Sequence, residues 1–65
     1  MEIYINGKPE ETGPSNIHQL VDKKGLKADS LVVELNRQII KQTQWHEVHL
    51  QDGDRLELLS FVGGG

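Results

Sequence analysis

The first seven residues constrain the fold more than any other stretch. Met1, Ile3 and Ile5 alternate with Glu2, Tyr4 and Asn6, which is the two-residue period of a strand with one buried face. Asn6-Gly7 comes at the end of this run, and that pair favours a type I′ hairpin turn because both central residues take positive φ. The spacing predicts that Lys8 to Thr12 returns antiparallel as an edge strand. Pro9 is tolerated there because an edge can spare a backbone donor, and the charges of Lys8, Glu10 and Glu11 discourage pairing with another chain.

After Pro14 the period changes. Ile17, Leu20 and Val21 are spaced i, i+3, i+4, one apolar stripe of a short helix. Ser15 is expected as its N-cap, Lys23 and Lys24 sit in the last turn where the helix dipole favours cations, and Gly25 supplies a left-handed C-cap. Leu26 then packs back onto the stripe. Ser30 to Asn36 reads as a long strand with Leu31, Val33 and Leu35 on one face and Val32 and Glu34 on the other. Asn36-Arg37 is a turn, Gln38-Ile39-Ile40 a short strand, and Thr43-Gln44-Trp45 a single helical turn or tight corner with Trp45 covering one end of the core. Asp52-Gly53-Asp54 is a turn with Gly53 at positive φ. Arg55 to Val62 forms the last strand, with Leu56 and Leu58 inward and Glu57, Leu59 and Phe61 on the opposite face.

The expected fold class is therefore α+β: a mixed sheet of four to five strands with one main helix packed on one face. The crossover from the first hairpin through the helix to the third strand is right-handed in such sheets. Placing the first and last strands side by side and parallel in the middle, the β-grasp arrangement, satisfies that connection. The chain has 65 residues and no cysteine, so it forms one small domain whose stability rests on apolar packing without disulfides. We expect this domain to span residues 1–62, followed by a flexible glycine tail at 63–65.

Acidic residues outnumber basic ones by 10 to 7, for a net charge of −3, which disfavours a phosphate-binding surface, and nucleic acid is not an expected partner. A charged-then-apolar leader is missing, as is any apolar run of membrane-spanning length. The expectation is a cytoplasmic protein with no membrane association.

Side-chain chemistry is sparse. His46 and His49 stand three apart in a stretch read as extended, which puts them on opposite faces, and His18 lies beside the helical stripe. Without cysteine these do not make a zinc set, and no metal is expected. Asp52-Gly53-Asp54 lacks the further oxygen ligands of a calcium loop. Neither a serine–histidine pair nor a phosphate loop is present, so an enzyme is the less favoured reading and no catalytic residue is assigned.

The last residues are Phe61-Val62-Gly63-Gly64-Gly65. Glycine has no Cβ, so such a tail enters a channel only a backbone wide. A carboxylate on Gly65 is ionised at neutral pH, its reference pKa being about 3.5, and the three glycines extend roughly 10 Å. A frayed end or a linker scar also produces glycine runs, but such linkers bring serine or cloning-site residues, and this run follows a strand with no polar spacer. At its root Leu59 and Phe61, joined by Tyr4 on the neighbouring strand and by Val32, are expected on the uncovered sheet face as a partner-docking patch. The competing reading folds Phe61 over its own sheet edge.

Asn6-Gly7, Asn36-Arg37-Gln38-Ile39-Ile40, Trp45, Asp52-Gly53-Asp54 and the Phe-Val-Gly-Gly-Gly ending resemble the ThiS group of sulfur carriers of thiamin biosynthesis, within the ubiquitin-like β-grasp proteins. The C-terminal third carries the specific part of this resemblance, and residues 8 to 30 agree only in pattern. The resemblance implies a carrier acted on by other enzymes. An E1-like adenylating enzyme uses ATP to activate the Gly65 carboxylate, and a sulfur donor protein converts it to a thiocarboxylate. A thiazole synthase then takes the sulfur. By position Gly64 and Gly65 match the group's ending, and Gly63 is a third glycine that only some members have. No cofactor is implied on the chain itself, since ATP is consumed by the partner.

Other readings stay open at this point. These are a carrier for molybdopterin or another thiocarboxylate pathway, an interaction module whose tail is inert, and a ubiquitin-like covalent modifier.

Overall fold

In the computed structural model, which describes residues 1–61, Asn6 and Gly7 both lie in the left-handed region, at φ 51° and 83°. The turn they make joins β1 (Glu2–Ile5) to β2 (Lys8–Glu11) with Ile5 opposite Lys8 and Tyr4 opposite Pro9. Thr12 lies just past the end of β2, yet its N–H still donates to the Met1 carbonyl at 2.9 Å.

Helix α1 (Ile17–Lys23) buries Ile17, Leu20 and Val21, the predicted stripe. Its N-cap is Asn16 and not Ser15. The Asn16 side chain accepts from the Gln19 N–H at 2.7 Å, and the Gln19 side chain accepts from the Asn16 N–H at 3.0 Å. This reciprocal pair is a capping box, which needs Glu or Gln three residues after the cap. Gln19 meets that need for Asn16, whereas His18 would be the matching residue for Ser15. The Ser15 carbonyl instead accepts from Leu50, and Ile17 donates to Val48, tying the helix start to the segment before the last turn. At the other end Gly25 (φ 69°) donates to Asp22 and Leu26 to Val21, the two bonds of a Schellman motif.

A 3₁₀ turn at Ala28–Ser30 leads into β3 (Leu31–Leu35), which turns at Asn36-Arg37 into β4 (Gln38–Ile40). Asn36 and Arg37 have φ of 50° and 73°. Two non-glycine residues in this region are uncommon. The Asn36 side chain holds the turn: its Nδ2 donates to Asp54 and its Oδ1 accepts from the Arg55 N–H.

The segment expected to be a single helical turn or tight corner is a 3₁₀ helix, Gln42–Glu47, longer than one turn. It contains His46, so the extended reading of that histidine is corrected. Trp45 is only 1% exposed and belongs to the core cluster, and its Nε1 donates to the Ile40 carbonyl at 3.0 Å.

The last strand, β5 (Arg55–Ser60), is shorter than the expected run to Val62, and Val62 lies outside the described residues. The sheet order is β2-β1-β5-β3-β4, with β1 and β5 parallel and the other neighbours antiparallel. The first and last strands thus sit side by side, as the connection rule requires. Leu56 and Leu58 face α1 together with Ile3 and Val33, and these close the core with Trp45. Each fully buried aliphatic side chain contributes about 1.5–3 kcal/mol.

Asn6 has a second task. Its Oδ1 accepts from the Leu58 N–H at 2.8 Å and its Nδ2 donates to the Leu58 carbonyl at 3.3 Å, so a side chain extends the β1–β5 pairing past the turn. Asn6→Gly keeps the left-handed turn and loses only those bonds, while Asn6→Ala loses the bonds and strains the turn. Chemical denaturation should find the glycine variant less stable than wild type by about 1 kcal/mol and the alanine variant lower by a further 1 kcal/mol or so. Equal stabilities of the two variants would contradict the turn's need for positive φ.

Candidate docking face and its relatives

Alternation along β5 decides what each face of the sheet carries. Leu56 and Leu58 are buried, and Leu59 remains 51% exposed. The Phe61 N–H donates to the Ser30 carbonyl at 2.9 Å, so pairing with the β3 side continues one residue past β5 and keeps the alternation in step. Phe61 is 49% exposed and falls on the same face as Leu59, away from α1.

Register then places the neighbours. Val32 stands directly opposite Leu59, so their side chains are adjacent on this open face. Val32, Leu59 and Phe61 form one apolar strip, as expected. Tyr4 does not join it. Tyr4 pairs with Arg55 at the far end of β5, four residues from Leu59, or roughly 13 Å along the strand. The Arg55 guanidinium lies over the Tyr4 ring, 4.4 Å from its centroid, and the Tyr4 hydroxyl donates to Glu2 at 3.4 Å. The patch expected from sequence therefore loses Tyr4, which shares the face but belongs to a separate cation–π contact.

Ile39 was missed by the sequence reading. It is 68% exposed and stands opposite Glu34, which stands opposite Glu57, so all three project from the open face. A two-residue turn at Asn36-Arg37 forces Leu35 opposite Gln38 and hence Glu34 opposite Ile39. The signal was present in the turn length.

The remaining candidates make no chemical centre among the described residues. His18, His46 and His49 are exposed, and no group of three or more His, Cys, Asp or Glu is placed to hold a metal ion. Asp52 accepts from the Glu2 N–H at 2.7 Å, and Asp54 accepts from the Gln51 N–H at 2.7 Å and from Asn36 at 3.1 Å. These carboxylates close a turn. No helix among the described residues is long and apolar enough to cross a membrane. Gly63, Gly64 and Gly65 lie outside the described residues.

Comparison with known proteins adds what geometry alone does not. The model of the ThiS family matches residues 3–65, nearly the whole chain and through its final glycine. The chain belongs to the ThiS family. Among its relatives, the sulfur carrier protein ThiS of Bacillus subtilis is 37% identical over 97% of this chain and 98% of that protein. The crystal structure of the thiamine biosynthesis protein ThiS of Geobacter metallireducens superimposes with a TM-score of 0.87 at 30% identity, covering 100% of both chains. This ThiS-family chain thus has the expected five-stranded β-grasp fold. Another relative is a thiazole synthase of Paramagnetospirillum magneticum, 32% identical over the full length of this chain, which spans only 20% of that protein.

Proposed function

We propose that this chain is a sulfur carrier of thiamin biosynthesis, a protein co-substrate whose reacting group is the backbone carboxylate of Gly65. The observation that carries this reading is the apolar strip of exposed Leu59 and Phe61 beside half-buried Val32, where the sequence leads into Val62-Gly63-Gly64-Gly65, a segment within the family match. A partner docked on the strip lies within reach of the tail, since four residues extend at most about 14 Å.

A carboxylate is a poor electrophile, so activation comes first. An E1-like adenylating enzyme joins the Gly65 carboxylate oxygen to the α-phosphorus of ATP, and pyrophosphate leaves. The terminal sulfur of a persulfide on a donor protein attacks the acyl carbon, and AMP departs with the C–O bonding pair. A thiol then cleaves the resulting acyl disulfide, which leaves the thiocarboxylate on Gly65 and a new disulfide on the thiol side. Glycine suits each step because the absence of a Cβ admits both enzymes' reacting groups close to the carbonyl. The chain binds no cofactor in this scheme, and ATP is consumed by the partner.

A thiazole synthase is the proposed sulfur acceptor. Two thiazole synthases, from Paramagnetospirillum magneticum and Magnetococcus marinus, each contain a segment that matches all of this chain within a protein about five times longer. Joining a carrier-like domain to its acceptor raises their effective mutual concentration, which supports a thiazole synthase as the partner that takes the sulfur.

Incubation with the adenylating enzyme, ATP and a persulfide donor should yield a species heavier by the difference between sulfur and oxygen. A protein of unchanged mass under conditions where the enzyme is active would overturn the reading. A second reading is favoured by the exposure of Ile39, Leu59 and Phe61: an interaction module whose tail does nothing. Phe61→Asp should weaken partner binding at least about tenfold on either reading, whereas removing Gly64 and Gly65 abolishes the mass gain on the carrier reading and leaves partner binding untouched on the module reading.

A further inference from the structure

Asn6-Gly7 holds the groups of a reaction that sulfur transfer does not use. Of Asn6, Asn16 and Asn36, only Asn6 precedes a glycine. An asparagine amide is open to attack by the backbone nitrogen of the next residue, and glycine hinders that attack least because it has no Cβ. The Gly7 nitrogen bonds to Cγ of Asn6 and gives up its proton, and ammonia leaves with the C–N bonding pair. Water then adds to either carbonyl of the cyclic imide and breaks one of its C–N bonds. The product is aspartate, or isoaspartate in which the main chain runs through the side chain. Water is the single co-reactant.

The turn does not shield these groups from solvent. Asn6 and Gly7 are both exposed, and among the described residues no backbone carbonyl takes the Gly7 N–H. What is restrained is the Asn6 side chain. Its two bonds to Leu58, at 2.8 Å through Oδ1 and 3.3 Å through Nδ2, hold the amide across to β5 and prevent the rotation that would present Cγ to the Gly7 nitrogen. Leu58 is itself fixed, at 8% exposed and opposite Val33. The looser partner is β1. Its ladder to β5 has two residue pairs, Tyr4 with Arg55 and Ile5 with Leu56, whereas the β3–β5 ladder has five. Parallel pairing is also slightly weaker per residue than antiparallel pairing, so the β1–β2 hairpin can lift while β5 stays on β3.

We propose that Asn6 is a deamidation site gated by the β1–β5 pairing: the Leu58 clamp blocks ring closure, and each lifting of the hairpin exposes Asn6 to an irreversible conversion. Neither product restores the clamp. Aspartate sets a carboxylate, which only accepts hydrogen bonds, against the Leu58 carbonyl. Isoaspartate lengthens the main chain of a two-residue turn whose geometry depends on its length. Modified chains therefore accumulate in step with opening, whatever the tail carries.

The test ages the wild-type chain in neutral buffer, with and without denaturing urea. The acid-for-amide mass increment is mapped to peptides, and isoaspartate is separated from aspartate by chromatography. Conversion at Asn6 should be at least about tenfold slower in the folded chain than in the unfolded one. Below the unfolding transition, stepwise urea should raise the Asn6 rate and the hydrogen exchange of the Leu58 N–H in proportion, because one opening exposes both. Asp52→Ala removes the carboxylate that accepts from the Glu2 N–H at 2.7 Å and loosens the start of β1, so it should raise both rates together. The urea series on wild type stands whether or not that variant folds. Asn6→Asp, which reproduces one product, should have a lower urea midpoint than wild type. Equal Asn6 rates in folded and unfolded chains overturn the proposal, and so does Leu58 exchange that rises while the Asn6 rate stays flat. An Asn6→Asp midpoint at or above wild type overturns the claim that the product cannot restore the clamp.

Discussion

A variant with one alanine added after Gly65 should give no detectable sulfur-bearing product, although its fold is unchanged. The added residue moves the terminal carboxylate by up to about 3.5 Å and introduces a Cβ next to the acyl carbon. Reacting atoms in a productive complex are roughly 3–3.5 Å apart, and a displacement of about 1 Å already reduces rates on the order of a hundredfold. A shift of a whole residue therefore removes the reaction. Deletion of Gly65 has the same effect from the opposite direction, because the carboxylate then falls short of the activated phosphate. Among the described residues every buried core residue lies between Ile3 and Leu58, so thermal unfolding of both variants should coincide with wild type. The measurement is intact mass after incubation with partner enzyme, ATP and donor. Wild-type yield from the extended variant would show that the reacting group is not on Gly65.

The second large effect falls on the fold. Trp45 is among the largest fully buried side chains and is 1% exposed, in a domain with no disulfide. Truncation to alanine at such a site costs about 3–5 kcal/mol, and a core of this size supplies a net stability of only about 3–5 kcal/mol. Trp45→Ala should therefore be largely unfolded at 25 °C. Trp45→Phe retains most of the apolar contact and loses the bond to the Ile40 carbonyl, an unpaired acceptor costing about 1–3 kcal/mol, so it should fold with a lowered urea midpoint. Circular dichroism across a urea series reads both. A Trp45→Ala variant within 1 kcal/mol or so of wild type would be incompatible with the packing described.

Much of this architecture is written in local pattern. The alternation of β1, β3 and β5, the Asn6-Gly7 turn, the Ile17–Leu20–Val21 stripe and the Gly25 terminus each follow from one period or one residue's conformational range. The sheet order follows from the crossover that joins them. The helix start needed a finer comparison, since both Ser15 and Asn16 are good caps and only Gln19 separates them. The 3₁₀ stretch around Trp45 carries no period, and its burial depends on tertiary contacts.

Tyr4 shows the hardest limit. A hairpin fixes the register of its own strands through its turn, which is why Ile39 could have been placed from sequence. No turn joins β1 to β5, which are separated by most of the chain. Their register is set by long-range bonds: Gly53 to the Glu2 carbonyl at 2.7 Å, Tyr4 to Asp54 at 2.9 Å, Asn6 to Leu56 at 2.9 Å, and the Asn6 side chain to Leu58. Those bonds put Tyr4 beside Arg55, away from the strip. The face of the sheet was predictable for Tyr4, but its position along that face was not.

The central claim is that sulfur is carried on the backbone acid of Gly65. Fragmentation of the intact product in a mass spectrometer tests this most directly, because it assigns the added mass to a position. The account predicts that every fragment containing Gly65 carries the sulfur-for-oxygen increment and that every fragment ending before Gly65 lacks it. An increment retained in fragments that exclude Gly65 would contradict the account.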